Sequence, residues 1–110
     1  MIGRIWHGWT AREDADAYQD MLNSDVLPGI HRIKGYHGAY VMRRNDGDDV
    51  EFMTMTIFEN IAAVKQFAGK DYTKAVVQGL AQKLLKRSDE RSTHYDIIIT
   101  PTTTGRQEPK

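Results

Sequence analysis

Tyr36-His37-Gly38-Ala39-Tyr40-Val41-Met42-Arg43-Arg44, then Asn45-Asp46-Gly47-Asp48-Asp49, then Val50-Glu51-Phe52-Met53-Thr54-Met55-Thr56-Ile57-Phe58 is the stretch that decides the fold. The flanking runs are rich in β-branched and aromatic residues. The Asn, Asp and Gly between them accept the positive φ of a tight turn, so the stretch reads as a β-hairpin. Strand side chains alternate between faces. In the second run this sets Val50, Phe52 and Phe58 on one side, with Thr54 and Thr56 between them, and Met53, Met55 and Ile57 on the other. A strand that is apolar on both faces needs a cover on both.

Working outward toward the N-terminus, Ile2 to Trp9 reads as a first strand, with Ile2, Arg4, Trp6 and Gly8 on one face and Gly3, Ile5, His7 and Trp9 on the other. Thr10-Ala11-Arg12-Glu13 has the capping-box pattern and predicts a helix start. Ala15, Tyr18, Met21 or Leu22, and Val26 then recur at helical spacing. Pro28 is expected to break or kink that helix, with an extra turn running to about Ile33.

Toward the C-terminus, Asn60 is placed to cap a short helix through Phe67, with Gly69 at its end. Asp71 is placed to cap a third helix from Tyr72 to about Leu85, with Tyr72, Ala75, Val76, Gly79, Leu80 and Leu84 on one face and Lys83, Lys86 and Arg87 toward its C-terminus. Thr93 to Thr100 reads as the last strand, centred on Ile97-Ile98-Ile99. The order β-α-β-β-α-α-β predicts an α+β, ferredoxin-like domain over residues 1–100: a four-stranded antiparallel sheet with helices on one face. Residues 101–110 have almost nothing to bury and read as a flexible tail.

Helices on one face leave the other sheet face to be covered; Met53, Met55 and Ile57 oppose Val50, Phe52 and Phe58, and Ile98 opposes Ile97 and Ile99, so both faces want burial. A second copy of the chain, related by two-fold symmetry, is the expected cover; a tail or the Pro28 segment folded over the face is the alternative.

Fifteen Lys plus Arg balance fifteen Asp plus Glu, so no net field draws nucleic acid. The absence of cysteine removes disulfides, thiolate nucleophiles and zinc–sulfur sites. The N-terminal run lacks the apolar core of a signal peptide, and no stretch approaches the roughly 18 apolar residues of a membrane span. A cytoplasmic protein with no membrane or nucleic-acid partner is expected.

The strand order, the start Ile5-Trp6-His7-Gly8-Trp9-Thr10, the segment Val26-Leu27-Pro28-Gly29-Ile30 before Gly35-Tyr36, and Phe67-Ala68-Gly69-Lys70-Asp71-Tyr72 together resemble the antibiotic biosynthesis monooxygenase-like family of the dimeric α/β-barrel superfamily. The resemblance spans about residues 2–99. It implies a homodimer whose two sheets form a barrel, with one small-molecule pocket per subunit between sheet and helices. It also implies an oxidoreductase that oxygenates a small aromatic or polyketide-like molecule without metal or flavin. A fold hosts many activities, so a non-catalytic small-molecule-binding protein or a stress-related dimer is the alternative. Haem-degrading relatives use an Asn, a Trp and a His at places where this sequence has His7, Phe67 and Val77, which points away from haem.

His7, between Trp6 and Trp9, is the candidate catalytic base, since imidazole exchanges protons near neutral pH; a carbonyl partner or solvent is its ordinary fate. His37 is a second candidate, for substrate binding. Trp9, Phe67 and Tyr72 are the candidate walls of a pocket for a flat ligand, or else ordinary core. His31 and His94 read as surface residues. No His-x-His, His-x-x-x-His or His-x-x-Glu spacing is present, so no metal is expected, and the resemblance implies no other cofactor. Arg43-Arg44 and Lys86-Arg87 read as solvated charges at element ends.

Overall fold

The computed structural model describes residues 1–77 and 79–101. The hairpin forms β2 (Tyr36–Asp46) and β3 (Asp49–Phe58), paired antiparallel with Asp46 opposite Asp49. Gly47 takes φ +62 in the two-residue turn, the left-handed geometry that matches strand twist and that a side chain resists. At the other end of β2, a bulge at His37 shifts the register between Tyr36 and Gly38.

The first strand, β1 (Ile2–Ala11), lies along β3 from Ile2 opposite Phe58 to Ala11 opposite Asp49. Because β3 extends that far, Thr10 is held in the sheet opposite Val50 and does not cap a helix. A single 3₁₀ turn (Arg12–Asp14) follows, then α1 (Ala15–Met21), which has no side-chain cap. The helical path does not stop at Pro28. It widens into a π-helical turn at Leu22–Val26 and resumes as α2 (Leu27–Ile30). The wide turn lies just before the proline, where an N–H is missing from the helical ladder.

Asn60 caps α3 (Ile61–Ala68), its Oδ1 accepting from the Ala63 N–H at 2.9 Å, and Gly69 ends it at φ +88. The expected third helix is much shorter. Among the described residues of that span only α4 (Leu80–Leu84) is helical, because Gly79 adopts φ +56 and the chain before it is drawn to the Glu90–Ser92 loop. Ala75 N–H donates to Glu90 O at 2.9 Å and Ser92 N–H to Thr73 O at 2.6 Å. Asp71 pairs with Arg91 and caps nothing.

The expected last strand, Thr93 to Thr100, is shorter than read, β5 (Thr93–Asp96), and the chain after α4 adds a strand that the sequence reading did not foresee, β4 (Leu85–Ser88); both lie on the free edge of β1. The sheet thus has five strands in the order β2-β3-β1-β4, with β5 also on β1. The Ile97–Ile99 run leaves the sheet because β1 begins at Ile2; Ile97 makes one last bond, to Met1 O at 3.0 Å, and Ile98 is 86% exposed. Lys86 and Arg87 are therefore strand residues, paired to Asp49 and Asp46 rather than to a helix end. Of the tail read as residues 101–110, only Pro101 is described; 102–110 lie outside the described residues.

The architecture is α+β and ferredoxin-like, with an open antiparallel sheet. The helices pack on one face of it, in two clusters. Phe52 and Val50 meet Ala15, Tyr18, Met21 and Leu22 at one end, and Phe58 meets Ile30, Ala63 and Val64 at the other.

Candidate functional site

Between those two clusters the floor of the sheet drops. Along β3 the inward side chains run Val50, Phe52, Thr54, Thr56, Phe58, so two small polar residues separate two fully buried rings. Ala39 and Val41 continue the low floor on β2. A cavity of about 590 Å³ sits above them, under Tyr18, Leu22 and Ile30 and beside Phe67. Exposed Asp25, Val26 and Leu80 stand around its mouth. A volume of that size suits an organic ligand of several rings.

Arg4 and Trp6 enter the cavity from β1. Gly8 makes room for the indole: a Cβ there would stand 2.7 Å from Trp6 Cη2 and 2.9 Å from Leu85 Cδ2. The indole N–H is spent on Asp89 O at 2.8 Å, leaving the ring as an apolar wall. Tyr18 is 2% exposed, and burial pushes its phenol up to about 12, so it is a neutral donor. Its hydroxyl makes no hydrogen bond among the described residues.

Arg4 is only 4% exposed. Its guanidinium donates to Tyr72 O, to Lys74 O at 3.1 Å and to His94 Nε2 at 3.0 Å, and it lies over the Phe67 ring at 5.6 Å. Burial lowers the Arg4 pKa to about 10, still charged at neutral pH. Burial and the Arg4 charge together hold His94 below its ordinary value, so its Nε2 accepts as neutral imidazole.

The residues read from sequence as one site fall into four places. Phe67 lines the cavity. Tyr72 packs with the Phe58 cluster and supplies its carbonyl to Arg4, while its ring meets His94 edge-on at 5.2 Å. His7 and Trp9 occupy the opposite face of β1, where strand alternation carries them away from Arg4 and Trp6. There His7 Nδ1 meets Asp89 Oδ2 at 2.8 Å, its Nε2 lies 3.9 Å from Glu51, and its ring stacks on Trp9 at 6.1 Å. His37 sits in the β2 bulge, exposed, 3.8 Å from Glu59. His31 is exposed, as read, whereas His94 is partly buried against Arg4. Sequence reading missed Arg4, Trp6 and Tyr18 as cavity residues. A charged residue on the core face of a strand was the available signal.

No group of three potential metal ligands stands together among the described residues. No family model matches the sequence, and no curated protein does. Solved structures do match. A Bacillus cereus protein described as a candidate antibiotic biosynthesis monooxygenase superposes with a TM-score of 0.61 at 13% identity, over 86% of this chain and 89% of that one. The chain has an antibiotic biosynthesis monooxygenase-like fold. Rv0793 from Mycobacterium tuberculosis gives 0.57 at 15% identity, over 91% and 98% of the two chains. At these identities the likeness carries the monooxygenase-like fold and leaves the chemistry to the residues. Among the described residues no helix is long and apolar enough to cross a membrane.

Proposed function

We propose that the protein binds a flat aromatic or polyketide-like molecule in the cavity beside Phe67 and oxygenates it. The observation that carries this is the cavity itself, about 590 Å³ left open at the centre of the core face where close packing is the rule. Phe67, Trp6 and Tyr18 offer rings to a planar skeleton. A substrate with a CH₂ activated by flanking aromatic rings supplies its own electrons. Its proton passes to solvent at the cavity mouth, the carbanion reacts with dioxygen, and the proton is returned in the water formed, in the overall balance R₂CH₂ + O₂ → R₂C=O + H₂O, with no outside reductant. The test is aerobic incubation with hydroxylated polycyclic compounds that carry such a CH₂ between two aromatic rings, following oxygen uptake and product mass. One oxygen consumed per ketone formed supports the reading; no uptake above the protein-free rate across the panel sinks it.

A second reading, a non-catalytic carrier of the same ligand, is favoured by one observation. The described cavity lining contains no histidine, and its only carboxylate is Asp25 at the mouth. A ligand recovered unchanged after aerobic incubation decides for the carrier.

The opposite face of the sheet supports a homodimer. Ile5, Met55 and Tyr40 lie side by side across β1, β3 and β2, with Met53 and Met42 next to them, and Tyr40 is 55% exposed. Each such side chain left in water forgoes roughly 1.5–3 kcal/mol. A second sheet laid on this face would close the barrel that one chain leaves open.

A further inference from the structure

We propose that the cavity takes an anion, an aromatic skeleton bearing an ionised oxygen acid (carboxylate, enolate or phenolate), and that Arg4 is its counter-ion. The inference rests on the cavity being a small-molecule site and adds the charge class of the occupant.

Arg43, Arg44, Arg87 and Arg91 each hold a carboxylate at the protein surface. Buried Arg4 holds none among the described residues; its three hydrogen-bond partners are two carbonyls and a ring nitrogen, all neutral. A buried charge is ordinarily paired. Three acceptors also leave part of the five-donor guanidinium unused. The fixed partners orient the group, and Phe67 beneath it presents a flat wall, so a planar ligand lying along Phe67 brings an acidic oxygen to the guanidinium.

The other titratable groups of the cavity and of the residues that hold Arg4 do not compete for it. Tyr18 is held as neutral phenol and His94 as neutral imidazole. Asp25 is at the exposed mouth, and Lys65 lies over the Tyr72 ring at 5.6 Å. A ligand anion is the counter-charge that the described residues of the site lack.

The test uses 2-naphthoate and its carboxamide, which share a skeleton and differ in charge, titrated by fluorescence at neutral pH. The naphthoate is expected to bind at least tenfold tighter than the amide, with the preference abolished in Arg4→Met and partly retained in Arg4→Lys. Equal affinity of the wild-type protein for both overturns the anion assignment and leaves the cavity reading standing. Binding of neither removes both. Arg4 carries three hydrogen bonds, and Arg4→Met can fail to fold, so a wild-type measurement stands beside it: 2-naphthol, followed by its phenolate absorbance, is expected to ionise at lower pH when bound than when free. An unchanged or higher ionisation pH overturns the proposal.

Discussion

Asp89 Oδ2 stands 2.8 Å from His7 Nδ1 and 2.9 Å from the His7 backbone nitrogen, so one carboxylate oxygen fixes both the ring and the main chain of that residue. The Asp89 N–H donates in turn to His7 O at 2.9 Å, and the Asp89 carbonyl takes the Trp6 indole N–H. The loop after β4 is thus tied to the middle of β1 from both sides of the sheet.

Asp89→Ala removes the acceptor of two of these hydrogen bonds and leaves the backbone ones. At about 1 kcal/mol for each hydrogen bond, half-exposed as these are, the expected loss is about 1–2 kcal/mol in urea unfolding with an unchanged m-value. The Nδ1–H tautomer of His7, visible by nitrogen NMR, is expected to lose its dominance in the variant. A stability equal to wild type with the tautomer retained would show that Asp89 does not orient the ring.

How much of this was legible in the sequence follows from how far each signal reaches. The β2–β3 hairpin and the Asn60 cap are local: turn chemistry and a side chain three residues from its N–H write them directly. Thr10 carries an equally local capping box and still lies in the sheet, because β3 offers ten residues of pairing to β1. The third helix fails for a similar reason. Its apolar spacing includes Gly79, which takes a left-handed φ, while Thr73 to Ala75 find partners at Glu90 to Ser92. At the site, Phe67 was readable as a wall, but Asp89 is 82 residues from His7 and Tyr72 is 68 from Arg4. No spacing rule reaches across such separations. Strand alternation alone separates His7 and Trp9 from Arg4 and Trp6, but it does not say which face the helices cover.

Gly8→Ala is expected to act on the cavity through Trp6. The new Cβ falls 2.7 Å from Trp6 Cη2 and 2.9 Å from Leu85 Cδ2, inside any allowed contact, so the indole must turn toward the cavity. Overpacking of this kind costs about 1–3 kcal/mol. Thermal unfolding should show the loss, and titration with 2-naphthoate should show weaker binding in a protein that is still folded. Unaltered stability would mean that Trp6 is free to move, contrary to its hydrogen bond with Asp89.

His94 sets an acid limit on stability. Burial and the adjacent Arg4 lower its folded-state pKa below the ordinary value of about 6.5. A depressed histidine pKa means that the unfolded chain binds the proton more readily, so stability rises with pH through this window. Its contribution is complete above about pH 7 and is lost as pH falls through 6.5 toward the folded-state pKa. The protein is expected to lose urea resistance between pH 7 and 5, and His94→Gln is expected to flatten that part of the profile. A His94→Gln protein with the same acid slope as wild type would assign the slope to other groups.

Met55 lies at the centre of the open sheet face, opposite Ile5 on β1 and Tyr40 on β2. In an isolated chain a lysine there reaches water easily and changes little, since its stem covers the same apolar neighbours. Under a second sheet the same ammonium is trapped between two apolar faces, where an unpaired charge is far too costly to keep. Met55→Lys is therefore expected to sediment as a single folded chain at concentrations where the wild type sediments as two, and to make the melting temperature independent of protein concentration. Wild-type protein that is a single chain at those concentrations, or a Met55→Lys variant that still pairs, would show that something other than a second copy covers this face.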